Sequence, residues 1–369
     1  MISIIGAGPV GSYLAYLLSK DGQEVNVYEE HSEIGRPVHC TGIVSSKFSK
    51  IINPDKDFVI NTISKARIYS PNNDFLELAL GENYILDRAR LDQKLALGAE
   101  KTGAEFHISH KFVEYKNGRI VLKNKEKIKK QRTDILVGAD GPMSPVAKSS
   151  GLFTNRSFFV GIQARATLKN DNAVEFYLIP RGFGWVVPES RERVRIGIVS
   201  EANHNEYFME FLKRKLGDNY STQVIEYQGG LIPIHDPNIR ASKDNIFLVG
   251  DAATMVKATT GGGIVQGLLG AEALADSIQT KRDYEVLWRE KIGRELRLAL
   301  MMRKIMDSFS EKDFNLLIRL MNKEGIKDKL ANYDRDSLTS LLPGLFFEAI
   351  KEPRFLHFAR FLLNRNLYI

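Results

Sequence analysis

The stretch Ile4-Ile5-Gly6-Ala7-Gly8-Pro9-Val10-Gly11 decides the fold. It follows a short apolar run, Ile2–Ile5, that reads as a strand. It opens a segment in which Val10, Leu14, Leu17 and Leu18 recur at helical spacing. The three glycines do different things. Gly6 permits a tight turn, Gly8 lets the backbone approach a pyrophosphate, and Gly11 lets the helix close on the strand. The new helix then offers unsatisfied N–H groups and a partial positive charge to phosphates. Glu24–Tyr28 alternates as a second strand. Glu29 follows, 18 residues beyond Gly11, where a carboxylate accepts hydrogen bonds from a ribose. This is a βαβ dinucleotide fold, and by itself it does not separate NAD from FAD.

Two distant motifs make that choice. Ile135-Leu-Val-Gly-Ala-Asp140-Gly141 is a buried strand ending in Asp-Gly, and Ile246-Phe-Leu-Val-Gly250-Asp251 is another. The second leads into Thr260-Gly261-Gly262-Gly263-Ile264 and an apolar helix. Asp251, at a strand end, suits ribityl hydroxyls. Gly261–Gly263 let backbone N–H groups reach the pyrimidine edge of a flavin, and the helix starting near Ile264 directs its positive end at a reduced, anionic ring. An enzyme that uses NAD alone does not need these elements, so the set of three selects FAD.

The intervening sequence predicts a second body. Phe158–Leu168, Val174–Ile179, Trp185–Val187 and Val194–Val199 read as strands of an antiparallel sheet, followed by a helix over His204–Leu216 and a strand near 223–234. The expected fold is α/β: a Rossmann-type FAD-binding domain from 1–150 plus 240–282, an inserted antiparallel β-sheet substrate domain over 151–239 with 60–85 as a candidate addition, and a helical C-terminal region over 283–369. Leu296–Arg303 and Phe355–Arg365 in that last region mix apolar and basic residues. Such helices either cap the substrate domain or lie on an anionic membrane.

Bulk properties narrow the function. The 369 residues are 43% hydrophobic and 26% charged, as in ordinary globular proteins, with a net charge of +7. The excess favours anionic partners: nucleic acid, an anionic membrane surface or a phosphorylated ligand. Cys40 is the only cysteine, so no intrachain disulfide forms. The N-terminus reads at once as a strand and not as a secretion signal, so the expected location is cytoplasmic, with the cytoplasmic membrane face as the peripheral alternative. There is no HExxH, CxxC or GxSxG, and the seven histidines lack metal-ligand spacing. There is no second GxGxxG. NAD(P)H therefore binds transiently, or electrons come from a partner protein such as a ferredoxin; nucleic acid is not an expected partner.

Two local motifs add a family resemblance. Gly35-Arg-Pro37-Val-His-Cys40-Thr-Gly42 resembles the PxxC loop of the geranylgeranyl reductase family, and Phe183-Gly-Trp185-Val-Val-Pro188 resembles its Tyr-x-Trp-x-Phe-Pro signature. Phe183 and Val187 depart from that signature at its Tyr and Phe. The family lies within the flavoprotein class that includes p-hydroxybenzoate hydroxylase, and the resemblance covers about residues 1–280. It implies FAD contacts at Gly8, Pro9, Glu29, Cys40, Thr41, Gly42, Arg88, Phe112, Asp251, Gly263 and Ile264, beside Gly6 and Gly11 of the turn. It also implies an apolar substrate wall of Phe183, Trp185 and Pro188, and makes Cys40 a candidate for shaping the active site or relaying a proton. The implied activity is FAD-dependent reduction of C=C bonds in geranylgeranyl chains of archaeal-type ether phospholipids. The alternatives are a flavin monooxygenase or a quinone-linked electron-transfer flavoprotein dehydrogenase.

Overall fold

A computed structural model describes residues 1–200, 203–323, 326 and 353–362. The chain forms two compact units. The first comprises Met1–Val38, Asp87–Phe158 and Ile232–Arg297, and the second His39–Leu86, Phe159–Leu231 and Leu298–Ile369.

The first unit holds a six-stranded sheet in the order Ser242–Lys243, Ile246–Leu248, Ile135–Gly138, Ile2–Ile5, Val25–Tyr28, Glu105–His107. Every pairing is parallel except the short edge pair of Ser242–Lys243 with Ile246–Leu248. Ile2 stands opposite both Ile135 and Val25, and Ile2–Ile5 is buried throughout, as the central strand of a parallel sheet must be. Helix Pro9–Lys20 begins with proline at its first position, where no backbone N–H is needed, and packs against helices Arg88–Lys101 and Ile264–Thr280. Asp87 caps helix Arg88–Lys101 by accepting from the Arg90 N–H at 3.1 Å.

A separate antiparallel sheet of Lys111–Lys116, Arg119–Asn124 and Lys127–Arg132 also belongs to this unit. Its first turn, Asn117-Gly118, has positive φ at both residues, as a two-residue hairpin requires. The third strand, Lys-Ile-Lys-Lys-Gln-Arg, escapes sequence reading because almost all of it is exposed and no apolar alternation marks it. Residues 283–297 also fall here and not in a separate C-terminal region. Tyr284 donates to the Leu248 carbonyl at 2.9 Å, and the Glu285 carboxylate accepts from the Ala241 and Ser242 N–H groups.

The second unit is organised by an eight-stranded sheet in the order Val224–Pro233, Phe158–Thr167, Arg193–Ser200, Gly182–Pro188, Val174–Ile179, Val59–Tyr69, Phe75–Leu86, Ile43–Val44. The antiparallel expectation fails at one junction. Val174–Ile179 runs parallel to Val59–Tyr69, with Val174 opposite Ala66 and Tyr177 opposite Tyr69. These strands come from stretches separated by a long excursion through the first unit, so no hairpin fixes their relative direction. The unit is thus assembled from three stretches: residues 39–86, which include the candidate addition 60–85 and supply three of its strands, join 159–231 and residues from 298 onward.

Helix His204–Leu216 covers one face through Phe208, Phe211, Leu212 and Leu216, packed on Tyr177, Val186, Ile196 and Ile198. Helix Glu311–Met321 places Ile318 on Leu76 and Leu78. The basic amphipathic stretch 296–303 lies in helix Arg294–Asp307; of 355–365, residues 355–362 are helical and 363–365 lie outside the described residues.

Candidate functional site

In the first unit the glycine turn is held by close packing. Gly6 has φ +102°, and a Cβ there would stand 2.4 Å from the Ala139 carbonyl oxygen. A Cβ at Gly11 would stand 2.0 Å from the Gly6 oxygen, so both positions exclude any other residue on steric grounds. Gly8 differs: a Cβ there meets no atom within 4 Å. Its side of the turn is open, and helix Pro9–Lys20 begins beside it.

Val10 connects this turn to the far motif. A Cβ on Gly267 would lie 2.5 Å from Val10 Cγ2, and one on Gly250 3.2 Å from it. A Cβ on Gly263 would lie 2.9 Å from Asp251 Oδ1. The structure therefore brings together Gly6, Gly8, Pro9 and Gly11 with Asp251, Gly263 and Ile264 at one end of the parallel sheet, although more than 230 residues separate the two groups. Ligands of open α/β sheets bind outside the carboxyl ends of such strands.

Charge completes this group. Burial pushes the Asp251 carboxyl up to about 6, against the pull of the Arg88 guanidinium. Arg88 opens its helix and donates from Nη2 to both oxygens of Asp92, at 3.1 Å each. Asp92 is likewise raised to about 6 by burial, with Arg88 again opposing. Glu29 Oε2 accepts from the Ala7 N–H at 2.9 Å, which holds the carboxylate at the turn, and Oε1 pairs with His31 Nδ1 at 2.6 Å. Phe112 is a buried residue of the three-stranded sheet, opposite Leu122.

These residues fit a dinucleotide. Two helix starts, a cation and a turn with one open face form the donor set. In the first turn of helix Ile264–Thr280, Gln266 Oε1 is buried without a hydrogen-bond partner, a cost that a bound donor removes.

Cys40, Thr41 and Gly42 fall in the second unit, so the predicted set is divided between the two units. Gly42 has φ +71°, and its N–H donates to Cys40 Sγ at 3.3 Å. Thr41 Oγ1 donates to Gln163 Oε1 at 3.0 Å, and the Trp185 indole Nε1 donates to the same oxygen at 3.3 Å. The Gln163 amide nitrogen donates onward to Gln228 Oε1 at 2.6 Å. Arg195 Nη1 donates to the carbonyls of Thr41 and Leu86, while its Nε donates to Glu189 Oε1 at 2.6 Å. Glu189 is buried, which raises its pKa, yet Arg165 and Arg195 together hold it below the usual carboxylate range. The loop is thus pinned to the sheet by a buried polar network.

Sheet register assigns the aromatic residues. Phe183 and Trp185 share a face, with ring centroids 5.8 Å apart, and Phe176 joins them opposite Trp185. Tyr177 points the other way, into the helix-covered core. Pro188 is three residues from Trp185, so the two-residue period puts it on the opposite face, and Val187 continues the Phe183–Trp185 row instead. Trp185 packs closely on Gly197, where a Cβ would stand 2.3 Å from its ring. Sequence reading missed Gln163, Arg195 and Glu189. The only signal for Gln163 and Arg195 was a polar residue flanked by apolar ones in a strand, and Glu189, just past the end of strand Gly182–Pro188, carried none.

The FAD binding domain family matches residues 59–279, more than half of the chain, and the NAD(P)-binding Rossmann-like domain matches residues 4–43. A digeranylgeranylglycerophospholipid reductase 2 of Methanothermobacter thermautotrophicus is 29% identical, over 92% of this chain and 95% of that protein. A digeranylgeranylglycerophospholipid reductase of Methanothrix thermoacetophila is 26% identical over 88% and 92%. Among solved structures, a geranylgeranyl bacteriochlorophyll reductase-like protein from Thermoplasma acidophilum has TM-score 0.83 and 23% identity, covering 95% of this chain and 96% of that one. The flavin-dependent halogenase CmlS has TM-score 0.69 and 16% identity, over 96% of this chain and 78% of its own. These two share the fold. The chain belongs to the FAD binding domain family, and FAD is its cofactor.

Proposed function

We propose that the chain is an FAD-dependent reductase that saturates C=C bonds of geranylgeranyl chains on archaeal-type ether phospholipid precursors. The observation that carries this reading is the Thr41–Gln163–Trp185 link, which ties the Cys40 loop to Trp185 in the aromatic row of Phe176, Phe183 and Trp185. A polyprenyl chain needs such a dry, flat surface, and a reaction at one of its double bonds needs a fixed neighbour. The names of the relatives point to the same substrate class.

Reduced FAD supplies the hydride when bound. The chain's residues do the rest. The Gly6–Gly11 turn and Arg88 hold phosphate, Glu29 a ribose, and Asp251 the ribityl chain. The start of helix Ile264–Thr280 stabilises negative charge on the ring. Phe183 and Trp185 hold the alkene and exclude water. Cys40 Sγ is the candidate for shaping the reacting face or moving the proton. NAD(P)H or a ferredoxin-like protein delivers electrons transiently, and the lipid is met at a membrane surface; no described helix is long and apolar enough to cross one.

The test is mass spectrometry of an unsaturated geranylgeranyl ether phospholipid incubated anaerobically with dithionite-reduced protein. Stepwise gain of hydrogen pairs, absent without protein, is the expected result. An unchanged lipid with FAD bound and reducible overturns the substrate and moves the monooxygenase and quinone-linked readings ahead.

A further inference from the structure

The positive charge of this chain is not spread over it. Residues 111–132 contain nine Lys and Arg against Glu114 and Glu126, a net +7 that equals the charge of the whole protein; the other residues carry 43 basic and 43 acidic side chains. Those 22 residues are the three-stranded sheet of the first unit, and all nine cations are exposed.

Register sorts them by face. Lys111 stands opposite Lys123, which stands opposite Ile128; Lys116 stands opposite Arg119, which stands opposite Arg132; Val121 stands opposite Lys130. Directly opposed residues share a face, so Lys111, Lys116, Arg119, Lys123, Lys130 and Arg132 form one outer surface, with Glu114, opposite Val121, as its one acidic residue. Phe112, Ile120 and Leu122 are the buried inner face. Three pairs on the outer face oppose like charges across neighbouring strands, an arrangement that weakens a sheet. Lys111 pairs with Glu30 at 2.9 Å and Arg132 with Asp134 at 3.9 Å, while the other four have no carboxylate ion-pair partner among the described residues. Ile128, amid the cations, is 57% exposed, and Val113, at the bulge of the first strand, is 48% exposed. A stable sheet that tolerates such repulsion departs from local rules where a partner supplies the missing charge.

We propose that this face docks the protein on an anionic phospholipid bilayer. Six cations in an area of roughly 10 by 17 Å match a layer of headgroup phosphates, and two exposed aliphatic side chains suit the headgroup–acyl boundary better than a purely polar partner. The choice of a lipid surface rests on the reading that the substrate is a phospholipid.

The experiment is co-sedimentation of the FAD-loaded protein with phosphatidylcholine vesicles, with and without phosphatidylglycerol. It compares wild type, the variant Arg119→Gln, Lys123→Gln, Lys130→Gln and Arg132→Gln, and a charge-matched control with exposed Lys20, Lys50, Lys56 and Lys101 changed to Gln. Wild type and control should bind anionic vesicles in a salt-sensitive way, and the four-site variant should bind at least about tenfold more weakly. Equal binding by the four-site variant, or an equal loss in the control, overturns the proposal. So does absence of vesicle binding in wild type combined with loss, in the four-site variant, of coupling to an acidic electron-donor protein; the face then belongs to that partner. Reduction of detergent-dispersed lipid is measured in parallel. Its failure counts against the proposed activity and leaves the vesicle result standing.

Discussion

Replacing Gly197 with alanine tests whether the aromatic face of the second unit is locked. The new methyl would stand 2.3 Å from Trp185 Cζ2, 2.5 Å from Cε2 and 2.7 Å from Gln163 Cβ. Ordinary contact begins near 3.4 Å, so the indole must retreat by about 1.1 Å. Such overpacking costs about 1–3 kcal/mol. The Trp185–Gln163 hydrogen bond is already 3.3 Å long and is lost in the same movement, which adds ~1 kcal/mol. The total, about 2–4 kcal/mol, lowers the melting temperature of a unit this size by roughly 5–10 °C. Differential scanning fluorimetry of the FAD-loaded protein reads that shift, and lipid reduction kinetics should show KM rising as the wall tilts. Trp185→Leu with Gly197→Ala should recover stability relative to Gly197→Ala alone, because the smaller side chain frees the space. A Gly197→Ala protein that melts and reacts like wild type would refute the claim that Gly197 sets the indole.

Three further outcomes follow from the geometry. Gly8→Ala should leave the melting temperature of the FAD-free protein within about 1 °C of wild type while weakening FAD retention in a dialysis assay; Gly11→Ala, with a contact of 2.0 Å, should fail to fold. Gln163→Leu should lower thermal stability through loss of three hydrogen bonds and raise KM, whereas Gln163→Glu keeps the acceptor for Thr41 and Trp185 and should retain more of each in the same assays. Burial opposes ionisation of Asp313, but bonds to His357 and Ser310 and the charge of Arg360 bring it down to about 2. A depressed carboxylate contributes stability above its unfolded value near 4 and loses it as pH falls from there toward 2. Acid titration of Asp313→Asn should therefore lack the stability loss that wild type shows in that window.

The nucleotide fold was legible because its signals are local. Gly6, Gly8, Gly11 and Glu29 lie within one βαβ unit, and backbone sterics leave Gly6 and Gly11 little choice. The far motif at Asp251 and Gly263 was legible as a strand end followed by a helix start. Other features depended on long-range pairing that no local pattern carries. The direction of Val174–Ile179 against Val59–Tyr69 is one, and the two long strands at 59–86 are another. The face of Pro188 was missed for a different reason: Phe183, Trp185 and Pro188 were grouped by motif, and the strand period separates them. Gln163 and Arg195 looked like ordinary polar residues until the fold placed Thr41 beside both. The Lys127–Arg132 strand had no hydrophobic pattern to read, because its role faces outward.

The chain passes between the two units five times, at residues 38–39, 86–87, 158–159, 231–232 and 297–298. No linear fragment of the gene therefore encodes either unit. A truncation at any of the first four points removes strands from at least one sheet, and one at 297–298 spares both sheets but removes helix Glu311–Met321 from the second unit. A single proteolytic nick at one crossing leaves the units covalently joined through the remaining four. Neither unit can complete its sheet during synthesis until the other has been partly made, so the late strands must wait for contacts that span most of the chain. This delays folding and ties the integrity of the dinucleotide turn to a segment translated more than two hundred residues later.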